Sequence, residues 1–126
     1  MKTILVIEDN PDNMALVEQI LEDEGFRVEK ASLAREGIAM LRERPADLVL
    51  MDISLPEMSG LEATEIIKAD EATREIPVLA LTSHAMNSNR EEALESGCDA
   101  FLTKPVNEKA LVEAINRFLD PDAGRE

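Results

Sequence analysis

Five residues with the chemistry to handle a phosphoryl group stand far apart in the chain: Glu8, Asp9, Asp52, Thr82 and Lys104. Taken singly, each has an ordinary reading as a loop residue, a helix cap, a turn hydroxyl or a solvated ammonium. What joins them is that each follows directly on an apolar run or closes it. Three carboxylates brought together repel one another unless a cation compensates them. An all-oxygen donor set suits a hard ion such as Mg²⁺. Such an ion would reduce the repulsion between Asp52 and an incoming phosphoryl group, leaving Asp52 able to act as a nucleophile. Lys104 would pair with one phosphoryl oxygen and Thr82 would donate a hydrogen bond to another. Positioning and charge neutralisation carry most of phosphoryl transfer, so this small set is sufficient.

The elements that must gather these residues are readable from the same sequence. Short runs rich in Ile, Val and Leu at Ile4–Ile7, Leu48–Met51 and Val78–Leu81 read as buried strands. Weaker runs at Arg27–Ala31 and Ala100–Thr103 read as strands nearer the sheet edges. Between them, Met14, Val17, Ile20 and Leu21 make one apolar helical stripe, and Leu111, Ile115 and Phe118 another. Asn10-Pro11 supplies an N-cap followed by proline at the first helical position, and Gly25 stands where that helix should stop. Gly97 ends a second helix, Pro45 a third before Asp47 opens the central strand, and Asn107 caps the last. The pattern is five β-then-α units in strict alternation. It predicts a doubly wound α/β fold with a parallel sheet, both faces covered by helices. In such sheets the site lies beyond the carboxyl ends of the strands, where all five residues fall.

Composition bounds the rest. The 126 residues suit one unit, expected at 1–120 with a polar tail at 121–126, and 44% of them are hydrophobic, enough for a core. Twenty-seven acidic against 13 basic residues leave a net charge of −14. That balance repels phosphate backbones and argues against nucleic-acid binding. Cys98 is alone, so no internal disulfide forms. No apolar stretch approaches the roughly 20 residues that cross a bilayer, and the start has no signal-peptide pattern. A cytoplasmic protein without membrane attachment is expected.

Glu8-Asp9-Asn10, Met51-Asp52-Ile53-Ser54-Leu55-Pro56 followed by Gly60, Ala80-Leu81-Thr82-Ser83 and Phe101-Leu102-Thr103-Lys104-Pro105 resemble the receiver-domain signature of response regulators. The order, spacing and strand placement match from about Lys2 to Leu119, and the start is also similar to stand-alone cell-cycle receivers of the DivK type. The resemblance implies a CheY-like, flavodoxin-like fold with strand order 2-1-3-4-5. It implies a single-domain receiver of a two-component or phosphorelay system, taking its phosphoryl group from a phosphohistidine on a sensor histidine kinase or a histidine phosphotransfer protein. Asp52 would be the phosphoacceptor. Asp9 and Asp52 would ligate Mg²⁺ directly, Glu8 through metal-bound water, and Ser54 through its backbone carbonyl. Thr82 and Phe101 would be the switch residues, Lys104 the phosphate-binding lysine, and the bond to Pro105 cis. Many receivers carry two aspartates where this chain has Glu8-Asp9, and the longer glutamate leaves room for a different metal affinity.

On that reading, Thr82 moves toward the phosphoryl group and Phe101 turns inward, shifting a face built from the fourth helix, fifth strand and fifth helix. A downstream protein is expected to read that face, because no output domain is expected within these 126 residues. Ser54 and His84 stand two residues beyond Asp52 and Thr82, where side chains would tune the lifetime of the phosphorylated state. Met14 and Val17 on the first helix are expected to meet the phosphodonor, and Met58 and Met86 flank the site. Cys98 reads as a small core residue. The competing class is a Mg²⁺-dependent aspartyl-phosphate phosphatase or phosphotransferase. Such an enzyme wants a second carboxylate two residues past the nucleophile, and here that residue is Ser54. A flavodoxin-like cofactor binder would want a glycine- and hydroxyl-rich loop where Asp9-Asn10-Pro11 stands, and a scaffold-only pseudo-receiver would not need acceptor, metal and lysine positions intact.

Overall fold

The β-branched and leucine runs form five strands: β1 (Thr3–Ile7), β2 (Arg27–Ala31), β3 (Leu48–Asp52), β4 (Val78–Thr82) and β5 (Ala100–Thr103). They alternate with helices α1 (Pro11–Asp23), α2 (Ala34–Glu43) and α3 (Gly60–Ala69) and with a C-terminal helix (Glu108–Leu119). The computed structural model describes residues 2–82, 91, 94–103 and 106–119. The helix expected between β4 and β5 falls largely outside these residues, but Glu91, Leu94 and Glu95 are helical and Gly97 follows with φ +106°.

All strand pairs are parallel and the order is β2-β1-β3-β4-β5. The two weaker sequence runs, β2 and β5, are the edges, where a half-exposed strand costs least. The three central strands are buried on both faces, as continuous apolar runs in a parallel sheet must be. Successive side chains alternate between two cores. Leu5, Ile7, Val49, Met51, Val78 and Ala80 face α2 and α3. Ile4, Val6, Leu48, Leu50, Leu79 and Leu81 face α1 and the C-terminal helix. Each fully buried Leu or Ile here stabilises the fold by about 1.5–3 kcal/mol relative to exposure.

The helix punctuation is local and matches the sequence. The Asn10 side chain accepts hydrogen bonds from the N–H groups of Asp12 and Asn13, with Pro11 in the first turn. Gly25 takes φ +88°; its N–H donates to Glu22 O and that of Phe26 to Leu21 O, the paired bonds that close a helix with a left-handed residue. The Asn107 side chain accepts from Ala110 N–H at 3.0 Å. The central strand begins at Leu48; Asp47 instead ties its carboxylate to Thr3 N–H at 2.7 Å.

One expectation is corrected. Val17 is 1% exposed and belongs to the core, so it does not present itself to a partner from α1. Leu16, one position around the helix and 45% exposed, is the large apolar side chain that α1 shows to solvent. The stripe Val17, Ile20 and Leu21 buries one side of α1, and about 100° of rotation per residue carries Leu16 out of it.

Candidate functional site

Parallel registers bring the strand ends level. Ile7 pairs with Met51, so Glu8 lies beside Asp52, and Asp52 pairs with Leu81, so Thr82 lies one step further along the neighbouring strand. Glu8, Asp52 and Thr82 are 2%, 3% and 2% exposed, whereas Asp9 is exposed. One carboxylate oxygen from each of Glu8, Asp9 and Asp52 lies within 4.8 Å of the others. Negative charges at that separation, two of them shielded from water, repel strongly unless a cation lies between them. Hard oxygen donors at this spacing fit a Mg²⁺-like ion.

The backbone holds the cluster in place. Asn10 N–H donates to the Glu8 carboxylate at 3.2 Å, and Glu8 N–H donates to Ala31 O at 3.1 Å. Ser54 N–H donates to Asp52 Oδ1 at 3.0 Å, fixing one oxygen of that carboxylate and leaving Ser54 exposed beside it. Ile53 N–H reaches Leu81 O at 3.0 Å and Gly60 N–H reaches Ile53 O at 3.0 Å, so the loop after β3 is pinned to both β4 and α3. Between the acidic cluster and β2 opens a recess of about 290 Å³ bordered by Glu8, Asp9, Lys30 and Ser32. It is wide enough to admit a small group to the exposed side of the site.

Phe101 is half-buried and packs on the α2/α3 core. It pairs with Ala80, and strand alternation puts Thr82 on the same sheet face as Ala80 and Phe101. Thr82 and Phe101 are therefore neighbours across one face of β4 and β5. Lys104, Pro105, His84, Ser83 and Met86 lie outside the described residues. Cys98 is buried, its thiol donating to Thr64 Oγ1 at 3.6 Å. Met14, Met40 and Met58 are half-buried and Met51 fully buried, as packing residues.

Three contributors to the site's geometry carry weaker sequence signals. Ser59 caps α3 by accepting from Glu62 N–H at 3.2 Å, and its Ser-X-X-Glu spacing is a recognisable helix start. Glu57 takes φ +67° in a tight three-residue turn closed by Met58 N–H to Pro56 O at 2.7 Å, which no residue type announces. Lys68 bonds to residues six, eight and 31 positions away, beyond any local pattern. Among the described residues, no helix is long and apolar enough to cross a membrane.

Comparisons with known proteins agree with this geometry. The polar-differentiation response regulator DivK of Brucella ovis is 39% identical over 118 residues, spanning 94% of this chain and 96% of that protein. The receiver domain of sensor histidine kinase PA1611 from Pseudomonas aeruginosa, solved with a magnesium ion coordinated in its active-site cleft, superposes with a TM-score of 0.88. It is 33% identical and covers 94% of this chain and 97% of its own. The co-crystal structure of the Saccharomyces cerevisiae histidine phosphotransfer protein Ypd1 with the receiver domain of its downstream regulator Ssk1 matches with a TM-score of 0.86. There the identity is 30%, over 93% of this chain and 88% of that one. The profile of the response regulator receiver domain matches residues 4–116, and the chain belongs to that family.

Proposed function

We propose that Asp52 accepts a phosphoryl group from a phosphohistidine in a Mg²⁺-dependent reaction, and that the modified chain signals by changing a protein-binding face. The observation that carries this reading is the convergence of the Glu8, Asp9 and Asp52 oxygens within 4.8 Å at the carboxyl ends of β1 and β3. A bound Mg²⁺ would offset the charge of the acceptor and of the incoming phosphoryl oxygens. Asp9 and Asp52 would hold it directly, with Glu8 acting through water and Ser54 through its carbonyl. An Asp52 oxygen attacks phosphorus, the donor's P–N bond breaks, and the departing imidazole takes up a proton. Thr82 and Lys104 receive the phosphoryl oxygens. Ser54 and His84 govern how fast water reaches the acyl phosphate.

The chain consumes one phosphoryl group per switching event and turns over no substrate. We read residues 1–120 as the receiver unit, on the family match to residues 4–116. The donor is a sensor histidine kinase or a histidine phosphotransfer protein, meeting α1 near Met14 and Leu16. The target reads the face built from the helix before β5, β5 itself and the C-terminal helix. Supporting that face, β5 is an edge strand and Leu94 is 47% exposed. The acidic balance of the chain favours a protein partner over nucleic acid.

The test is to add acetyl phosphate, or beryllofluoride as a mimic, in the presence of Mg²⁺ and follow the mass of the chain and the resonances of Thr82 and Phe101. A gain of one phosphoryl group, lost on hydroxylamine treatment and absent from Asp52→Asn, is expected. Phosphorylation that persists in Asp52→Asn would overturn the assignment.

A further inference from the structure

We propose that Lys68 is a positioning residue for β5, setting where the Phe101-bearing strand starts and thereby how readily it changes state. Lys68 Nζ donates to Asp99 Oδ2 at 2.9 Å, to Ile76 O at 2.8 Å and to Arg74 O at 3.3 Å. Asp99 Oδ2 also accepts from Val78 N–H at 2.8 Å, while Asp99 N–H donates back to Val78 O at 2.8 Å. One ammonium thus joins the end of α3, the approach to β4 and the residue just before β5. The stem of Lys68 packs beneath Gly97, where an added Cβ would lie 3.0 Å from Lys68 Cγ.

β5 is short, half-exposed and paired only with β4, so its placement depends heavily on this starting point. At its other end α3 is bound to the acceptor: Gly60 N–H bonds Ile53 O, and Gly60 abuts the carbonyl of Asp52. A ten-residue helix therefore runs from the acceptor's backbone to the lysine that anchors β5. It is a link separate from the direct one through Thr82 and β4. The inference rests on Asp52 being the acceptor and Phe101 the responding side chain.

The test compares wild type, Lys68→Met, Lys68→Arg and Asp99→Asn by two affinities: Mg²⁺ alone, and beryllofluoride in saturating Mg²⁺. Lys68→Met should leave the Mg²⁺ affinity within about twofold while changing the beryllofluoride affinity about fivefold or more, the lower end of typical coupling between sites. Lys68→Arg should restore most of the change. Asp99→Asn keeps an oxygen for Val78 N–H and should shift beryllofluoride binding in the same direction; it carries the comparison if Lys68→Met does not fold. Equal beryllofluoride affinities, or Mg²⁺ and beryllofluoride affinities falling together, would overturn the proposal. If wild type itself shows no beryllofluoride response, the phosphoacceptor reading fails first and this inference goes with it.

Discussion

Gly60 lies so close to Asp52 that a Cβ on residue 60 would stand 2.2 Å from the Asp52 carbonyl oxygen. It would also lie 2.8 Å from Ile53 Cα. Both contacts are with backbone, so no flexible side chain can yield. The first turn of α3 is held directly against the residue that carries the proposed acceptor carboxylate, and the Ser59 cap and the Gly60–Ile53 hydrogen bond keep it there. Replacing a helical glycine with alanine ordinarily stabilises by up to about 1 kcal/mol through propensity. Here overpacking should win, and Gly60→Ala should lose about 1–3 kcal/mol in denaturant unfolding. Because the end of β3 must shift, Mg²⁺ affinity should fall as well. A Gly60→Ala protein of equal or greater stability would show that α3 can move away without disturbing Asp52.

Sequence and structure agree wherever the signal is local or follows from chain direction. Asn10-Pro11, Gly25 and Asn107 each act on backbone groups within a few residues, so their roles are written beside them. Glu8, Asp9 and Asp52 converge because parallel strands put every carboxyl end on one edge of the sheet. Strand order is not fixed by local pattern, and it was legible only through the family resemblance. The apolar stripe of α1 already marks Val17 as a core residue and leaves Leu16 outside it, so an outward role for Val17 runs against the helix's own periodicity. Glu57 adopts positive φ through the path its loop must take, and Lys68 finds partners on segments that only the fold brings near.

The acidic cluster makes a prediction about stability that does not depend on any phosphodonor. Without a cation, the carboxylates within 4.8 Å of one another oppose folding. Asp9→Asn should therefore be more stable than wild type in EDTA. With Mg²⁺ the order should reverse, because a ligand bound only by the folded state at 100 times its dissociation constant adds about 2.7 kcal/mol. Affinity for Mg²⁺ should drop by roughly 10–100-fold in Glu8→Gln, the range seen when a metal's outer-shell partners are removed, and by more in Asp9→Asn, which removes a charge from a direct ligand. Urea unfolding of each variant with and without Mg²⁺ tests both halves. Identical responses to Mg²⁺ in wild type and Asp9→Asn would separate Asp9 from the cation site.

Glu57 stores strain beside the site. Its φ of +67° is a conformation that side-chain-bearing residues resist by about 1–2 kcal/mol. Its ion pair with Arg35, at 3.7 Å between two exposed side chains, contributes little against that. Glu57→Gly should accordingly stabilise the protein by about 1 kcal/mol, and Glu57→Val should destabilise it, since a β-branched residue tolerates positive φ worst. Thermal melts of the two variants give the sign directly. Destabilisation by both would mean that the carboxylate, not the backbone, is what the loop needs.

Cys98 predicts how stability depends on alkaline pH. Burial pushes its thiol up from the ordinary 9.0; hydrogen bonds with Thr64 and Ser96 act against that rise, nearby Asp99 adds to it, and Lys68 opposes it. The unfolded chain therefore releases this proton first as pH rises. Stability from the buried neutral thiol is complete below 9.0, declines above it, and is lost as pH passes the folded value. Cys98→Ala should be less stable by about 1 kcal/mol near neutrality, a usual cost for a small core truncation. Lacking the titrating group, it should not share that alkaline decline, so the gap between the two proteins should narrow above pH 9. Urea unfolding of both across that range measures the gap. Parallel curves would show that the folded thiol titrates like a free one, and rapid alkylation of the native protein by iodoacetamide at pH 8 would contradict its burial.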